Sequence, residues 1–494
     1  MRDHTPVVIE EFNGLWARGD ADSCPPDHFT DCNNIQFIQS GFRTRDGLDT
    51  YLGNNGTIYN VLRMYTFVQE TGESLLVLND QGQIFDIQGV TVLGPILTVI
   101  GMTDFGFISI NGKAFLTPCN GSTGLSGEFV YVYKGDGTSA RKAAGFAPVL
   151  ADGNMSVAAG GAGDVEAGVH IFGAVYETDT GYLTSIGAVR PFITAAGGTA
   201  IDLSAIPVSP SGVVTKVHIV ATKAIDPTFF TGNTDGYEFF FVPGAIVTNG
   251  TTTLSVSFFD SELLDDASHL EDLYEEIPAC VGLNVYHQRM IAYATFTDIS
   301  LCLVSSPGEP EAINKISGLV IFPLDGQPIT NGQEFRDVLY LFKQTKTDAW
   351  TDNGDDPSSW PLTILDQGVG ASVHGIATVL DSGGVNIDYL QIVDYSGVML
   401  FNGAYVRPEL SWKIKDYWMA LDRAFFKTIE IKNDSLNQRL YATLPNKQIL
   451  YADYSNGLDP KNIRWTPWKF ELQITTIALI NTDHLVLGAS KVIP

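Results

Sequence analysis

Eight histidines, five cysteines and 56 acidic residues are the side chains of this 494-residue chain that could carry chemistry. The cysteines, at 24, 32, 119, 280 and 302, form none of the C-x-x-C pairs that a zinc site or redox dithiol needs. Cys24 and Cys32 are near enough to bridge a short loop; the simpler reading is five buried or inert thiols and folding in a reducing cytoplasm. The histidines are scattered singly. His170, His287 and His374 fall in strand-like runs and read as satisfied or exposed strand residues rather than metal ligands. Nucleophile-elbow, H-E-x-x-H and Walker-type patterns are absent. A glycosidase needs two carboxyls about 5–10 Å apart, and among so many acids some pair meets that by chance. The sialidase box S-x-D-x-G-x-T-W is missing, although TKTDAWTDNG (345–354) holds its pieces in another order. GGAGD (160–164) and KGDGTS (134–139) share only glycine content with phosphate loops and read as turns. LNDQGQIFD (78–86) and YETDTGYLT (176–184) place acids beside glycine, but neither supplies the full oxygen series of a calcium loop. The expectation is therefore no enzyme, with no catalytic, cofactor-binding or metal residue.

The elements that would position any site are strands. Hydrophobic residues make up 45% and charged residues 17%, the latter below the roughly 25% of ordinary domains, which excludes disorder. With 49 Gly, 23 Pro, 28 Phe and 19 Tyr the chain suits short strands and many turns, an all-β class. A hairpin pattern recurs: ESLLVLNDQGQIFDI (73–87) around Gly82, DFGFISINGKAFLTP (104–118) around Asn111-Gly112, DYLQIVDYSGVMLFNG (388–403) around Ser396-Gly397, and QRLYATLPNKQILYAD (438–453) around Pro445-Asn446. Looser copies occupy 288–305, 335–352 and 475–490. Such repetition predicts a β-propeller of six to eight blades, six being the single expectation; a sandwich with long connections is the alternative.

The repeats stop between about 150 and 265. Ala151 to Gly168 reads as a linker, and the alternating strands that follow predict an inserted immunoglobulin- or fibronectin-like sandwich without the Cys…Trp…Cys core. The expected division is an N-terminal arm with first strands (1–50), a first propeller part (51–149), the sandwich (150–262) and the rest of the propeller (263–494). SELLDDASHLEDLYEE (261–276) predicts a helix capped by Ser261 with Leu264, Leu270, Leu273 and Tyr274 on one side, and 411–425 predicts a second short one.

The net charge is −27, and no basic cluster offers a grip on phosphate. Acidity serves solubility, and it also suits a conduit that must not hold a polyanion passing through it. MRDHTPVVIEEFNGLW carries no apolar signal region, and no run of eighteen uncharged apolar residues predicts a spanning helix.

FNGLW (12–16) and PPDHFTDCNNIQFIQSGFRTRDGLDTYL (25–52), with its core Gly41-x-x-x-Arg45-x-Gly47, resemble the opening of tail-nozzle, or packaged-DNA stabilisation, proteins of short-tailed bacteriophages. SSPGEPEAIN (305–314) and GVGASVHGI…YSGVMLFNG (368–403) are similar in style, as is a propeller interrupted by a sandwich. The resemblance implies a structural virion protein in the short tail. It would be a hexameric ring below the portal and adaptor that contacts tailspikes or fibres and conducts and retains the genome, with duplex DNA passing unbound. It implies no cofactor, no membrane insertion and folding in the host cytoplasm before assembly. Its motifs carry no catalytic residue. Taken alone, G-x-x-x-R-x-G also reads as a turn with an ion-paired arginine. A carbohydrate-active or carbohydrate-binding tail propeller is the alternative. A receptor-binding fibre would call for β-helix repeats that this sequence lacks.

Overall fold

A computed structural model describes residues 12–491 apart from 20–22, 26, 39–40, 46, 49–57, 59, 70–71, 145–154, 272–275, 381–386 and 481–483. The chain is all-β, built of many small antiparallel sheets. It divides into two compact units: 1–142 with 278–304 and 317–494, and 143–277 with 305–316.

In the first unit, six four-stranded meanders follow the sequence, beginning at Val61, Asp104, Cys280, Asn331, Ile376 and Ile431. The hairpin Gln473–Ile480/His484–Ser490 follows them. All seven hairpins read from the sequence fold as antiparallel pairs. The turn at Asn111-Gly112 has φ of 51° and 71°, the left-handed pair that an Asn-Gly hairpin supplies at little steric cost.

Strand alternation sends one set of side chains to each face, so each sheet buries both faces against its neighbours. Leu76 and Phe67 pack on Phe105 and Leu116, Leu341 on Val281, and Phe342 on Phe401. Leu400 then meets Leu440, Tyr451 meets Ile477, and Ala478 returns to Met64 and Val77 of the first sheet. Between the second and third sheets the backbones nearly touch: a Cβ on Gly106 would lie 2.7 Å from the Gly282 Cα, so only glycine fits. Successive packing thus runs round the unit and closes on its first sheet.

The second unit holds a three-stranded sheet (Ser156–Val165, Thr199–Ser204, Thr253–Val256) and a four-stranded one (Gly187–Thr194, Gly168–Thr178, Val214–Ala221, Phe240–Thr248). They close on one core that includes Val165, Ile201 and Leu203 from the first and Phe172, Val217 and Ile219 from the second. Its main segment, 143–277, is longer at both ends than the expected 150–262, and the outer end of the hairpin 301–320 is counted with it. There Glu311, 3% exposed, accepts the Ala144 amide at 2.8 Å and the Thr180 hydroxyl at 2.6 Å.

Two local expectations are corrected. Residues 156–165 form a ten-residue strand rather than a linker. Its glycines serve close approach, since a Cβ on Gly163 would lie 2.5 Å from the Ala200 amide nitrogen; residues 151–154 lie outside the described residues. The helix expected over 261–276 is replaced by two 3₁₀ turns, Asp260–Glu262 and Ser268–Glu271. The intervening backbone bonds to a strand instead: Phe241 donates to the Asp265 carbonyl and Ala267 to that of Phe239, both at 2.8 Å. Leu270 is buried there and Leu264 exposed, whereas Leu273 and Tyr274 lie outside the described residues. The second helix, Lys415–Met419, is a single turn flanked by 3₁₀ segments. Among the described residues, no helix is long and apolar enough to cross a membrane.

Candidate functional site

The leading strands of the first unit bring charge into its interior. A bulge at Leu62, where the pairing passes from Val61↔Asn79 to Arg63↔Leu78, re-aims the strand and turns Arg63 inward. Arg63 donates from Nε to Asp104 Oδ1 and from Nη1 to Glu430 Oε2, both at 2.9 Å. Asp104 opens the second sheet and also accepts His374 Nε2 at 2.6 Å. The His374 Nδ1 lies 3.2 Å from the Tyr65 hydroxyl. Glu430, just before the sixth sheet, accepts the Ile477 amide at 3.2 Å, and Lys432 Nζ stands 3.2 Å from its other oxygen. Arg63, Asp104 and Glu430 are 6%, 5% and 1% exposed.

Burial alone would neutralise these groups, but their mutual attraction reverses that. Against the burial penalty, Arg63 and then His374 hold the Asp104 carboxyl well below the usual range. Lys432, Arg63 and His374 do the same for Glu430, and the two carboxylates hold Arg63 more firmly protonated than usual. Burial, followed by the Asp104 charge, pushes the Tyr65 phenol far up. Tyr65 is therefore protonated at neutral pH and joins His374 and Asp104 in one hydrogen-bonded chain. Above Arg63 and Asp104 opens a cavity of about 620 Å³. Tyr65, His374 and Lys432 line a second one of about 130 Å³.

The opening segment is a clasp. The Leu15 amide donates to the Trp465 carbonyl at 2.9 Å, and Asn34 to that of Pro467 at 3.0 Å. The Trp468 indole donates to the Ile35 carbonyl at 2.8 Å. Gly14, at φ +83°, is required: a Cβ there would lie 2.7 Å from the Trp465 nitrogen. Arg45 donates to Asn34 Oδ1 and the Lys469 carbonyl, both at 3.3 Å, and covers the Phe470 ring. Gly47 faces open space.

Of the histidines singled out, only His374 joins the cluster. His170 lies in the second unit, fully buried, with Nε2 3.1 Å from Asp260 Oδ1. His287 sits in an exposed turn, where with Glu334 and Asp337 it offers ligand atoms within 4.8 Å of one another, a set able to take a divalent cation. All five cysteines are free, and burial pushes the thiols of Cys32 and Cys280 up to about 11 and about 12. The glycine-rich and acidic loops are turns or strand: Asn79 Oδ1 accepts the Gln81 and Gln83 amides, Asp136 Oδ1 accepts Thr138, and 160–164 lies within a strand. In 345–354, burial lifts the Asp348 carboxyl to about 6, and its Oδ1 has no hydrogen-bond partner.

No family model and no curated protein matches the chain. Solved structures similar to it include apo AztD from Citrobacter koseri, at TM-score 0.33 and 11% identity over 88% of this chain and 90% of that one. BamB from Moraxella catarrhalis aligns at TM-score 0.27 and 9% identity, over 68% and 94%. Likeness this distant says nothing of function.

Proposed function

We propose that the chain is a structural virion subunit of the tail-nozzle kind, one of several copies, six in the simplest case, that wall a passage for packaged DNA. The observation that carries this reading is the clasp: the motifs behind the resemblance, FNGLW and the segment around Arg45, seal the last sheets of the first unit. Their work is mechanical. SSPGEPEAIN likewise serves architecture, Glu311 tying its hairpin into the second unit. In this reading the six meanders are propeller blades, the hairpin 473–490 supplies a seventh, partial blade, and the second unit is an immunoglobulin-like insertion.

In this reading the DNA path runs between copies and not past the ion cluster buried within the first unit. Six copies would carry about −160 charges around it, and like charges keep a duplex from sticking. The adaptor above and tailspikes or fibres beside the ring are the partners of this reading, with no cofactor and no catalysis. Sedimentation of the purified chain with and without random duplex tests it. Ring-sized species without salt-sensitive DNA binding are expected; a monomer that binds duplex tightly at low salt and releases it at high salt would refute it.

A further inference from the structure

We propose that the cavity above Arg63 and Asp104 is a binding site for a carboxylated saccharide, a property separate from any role in a virion. Its volume of about 620 Å³ lies within the range of pockets that enclose small organic ligands, about 300–1,000 Å³. The charge of its mouth is opposite to that of the chain. Among the described residues, Lys427, Lys447 and Lys491 line it against one exposed acid, Glu471, in a protein with 29 basic and 56 acidic residues. Among the described residues, no carboxylate pairs with any of the three ammonium groups. Three unpaired cations converging on one concave surface will attract an anion.

The floor does not oppose that attraction. Asp104 is bonded by Arg63 and His374, so an incoming carboxylate meets a paired carboxylate instead of a bare one. The remaining lining favours a hydroxyl-rich ligand over a bare inorganic ion. Thr428, Asn120 and Asn446 offer hydroxyl and amide groups, and the half-buried Phe425 offers an apolar surface for the C–H face of a sugar ring. Lysine supplies a flexible point charge suited to a single carboxylate, whereas planar two-pronged recognition would call for arginine. Among the described residues, the one arginine in the lining, Arg63, is already held by two carboxylates.

Calorimetric titration of the full chain with trigalacturonate tests the assignment, with maltotriose, inorganic phosphate and a short DNA duplex as comparison titrants. Trigalacturonate should bind at least tenfold more tightly than maltotriose or phosphate. K427Q/K447Q should lose at least tenfold in affinity with an unchanged melting temperature, because both side chains are exposed, and K461Q, outside the cavity, should bind like the parent. Absence of trigalacturonate binding, equal binding of phosphate or duplex, or affinity indifferent to K427Q/K447Q would overturn the proposal.

Discussion

Arg63 and Glu430 stand 367 residues apart in sequence, yet their side chains meet at 2.9 Å inside the first unit. This contact joins the first meander to the sixth, and Asp104 extends it to the second. Removing the guanidinium leaves two buried carboxylates facing each other. Breaking a buried pair by deleting one partner costs about 3–5 kcal/mol, so R63M should lower stability by that order in urea unfolding. A loss below about 1 kcal/mol would mean that water reaches the cluster.

Acid should dismantle the same cluster. The Asp104 and Glu430 carboxyls lie below their ordinary range in the fold and return to about 4 on unfolding. The unfolded chain therefore binds their protons first, and the stability they contribute, present above about pH 4, is lost as pH falls through the folded values. Urea midpoints should fall steeply between pH 4 and 2. A flat profile there would contradict the ionised cluster.

Asp348 has the opposite sign. Its folded value of about 6 exceeds the unfolded 3.8, so its contribution is intact below pH 3.8 and is lost as pH rises through 6. D348N should raise stability at pH 7 by up to about 3 kcal/mol and flatten the profile between pH 4 and 6. No gain at pH 7 would show that the carboxylate is solvated.

Gly14 tests the clasp. G14A puts a methyl group against the Trp465 backbone at a φ of +83°, at a cost above about 1 kcal/mol. Hydrogen exchange should accelerate at the Leu15 and Asn34 amides. Unchanged exchange would mean that the segment docks without its bonds to 465–467.

The hairpins were legible in the sequence because strand and turn chemistry is local: period-two alternation and Asn111-Gly112 need no distant partner. The cluster was not, because its members come from four separate leading segments. The available signal was a charged residue inside an apolar leading run, as with Arg63 in VLRMYTF and Glu430 in TIEIKND. His374 was noticed but read as an ordinary strand residue, since nothing local shows that Asp104 lies 2.6 Å away. The strand 156–165 was misread because a glycine needed for close strand approach looks, in composition, like a glycine in a flexible linker.

Negative-stain electron microscopy of the purified protein, beside short tails of any particle found to contain it, tests the proposed nozzle role most directly. The account expects closed rings of about six copies that match in diameter a layer of the tail. Isolated monomers together with tails lacking any matching layer would contradict it.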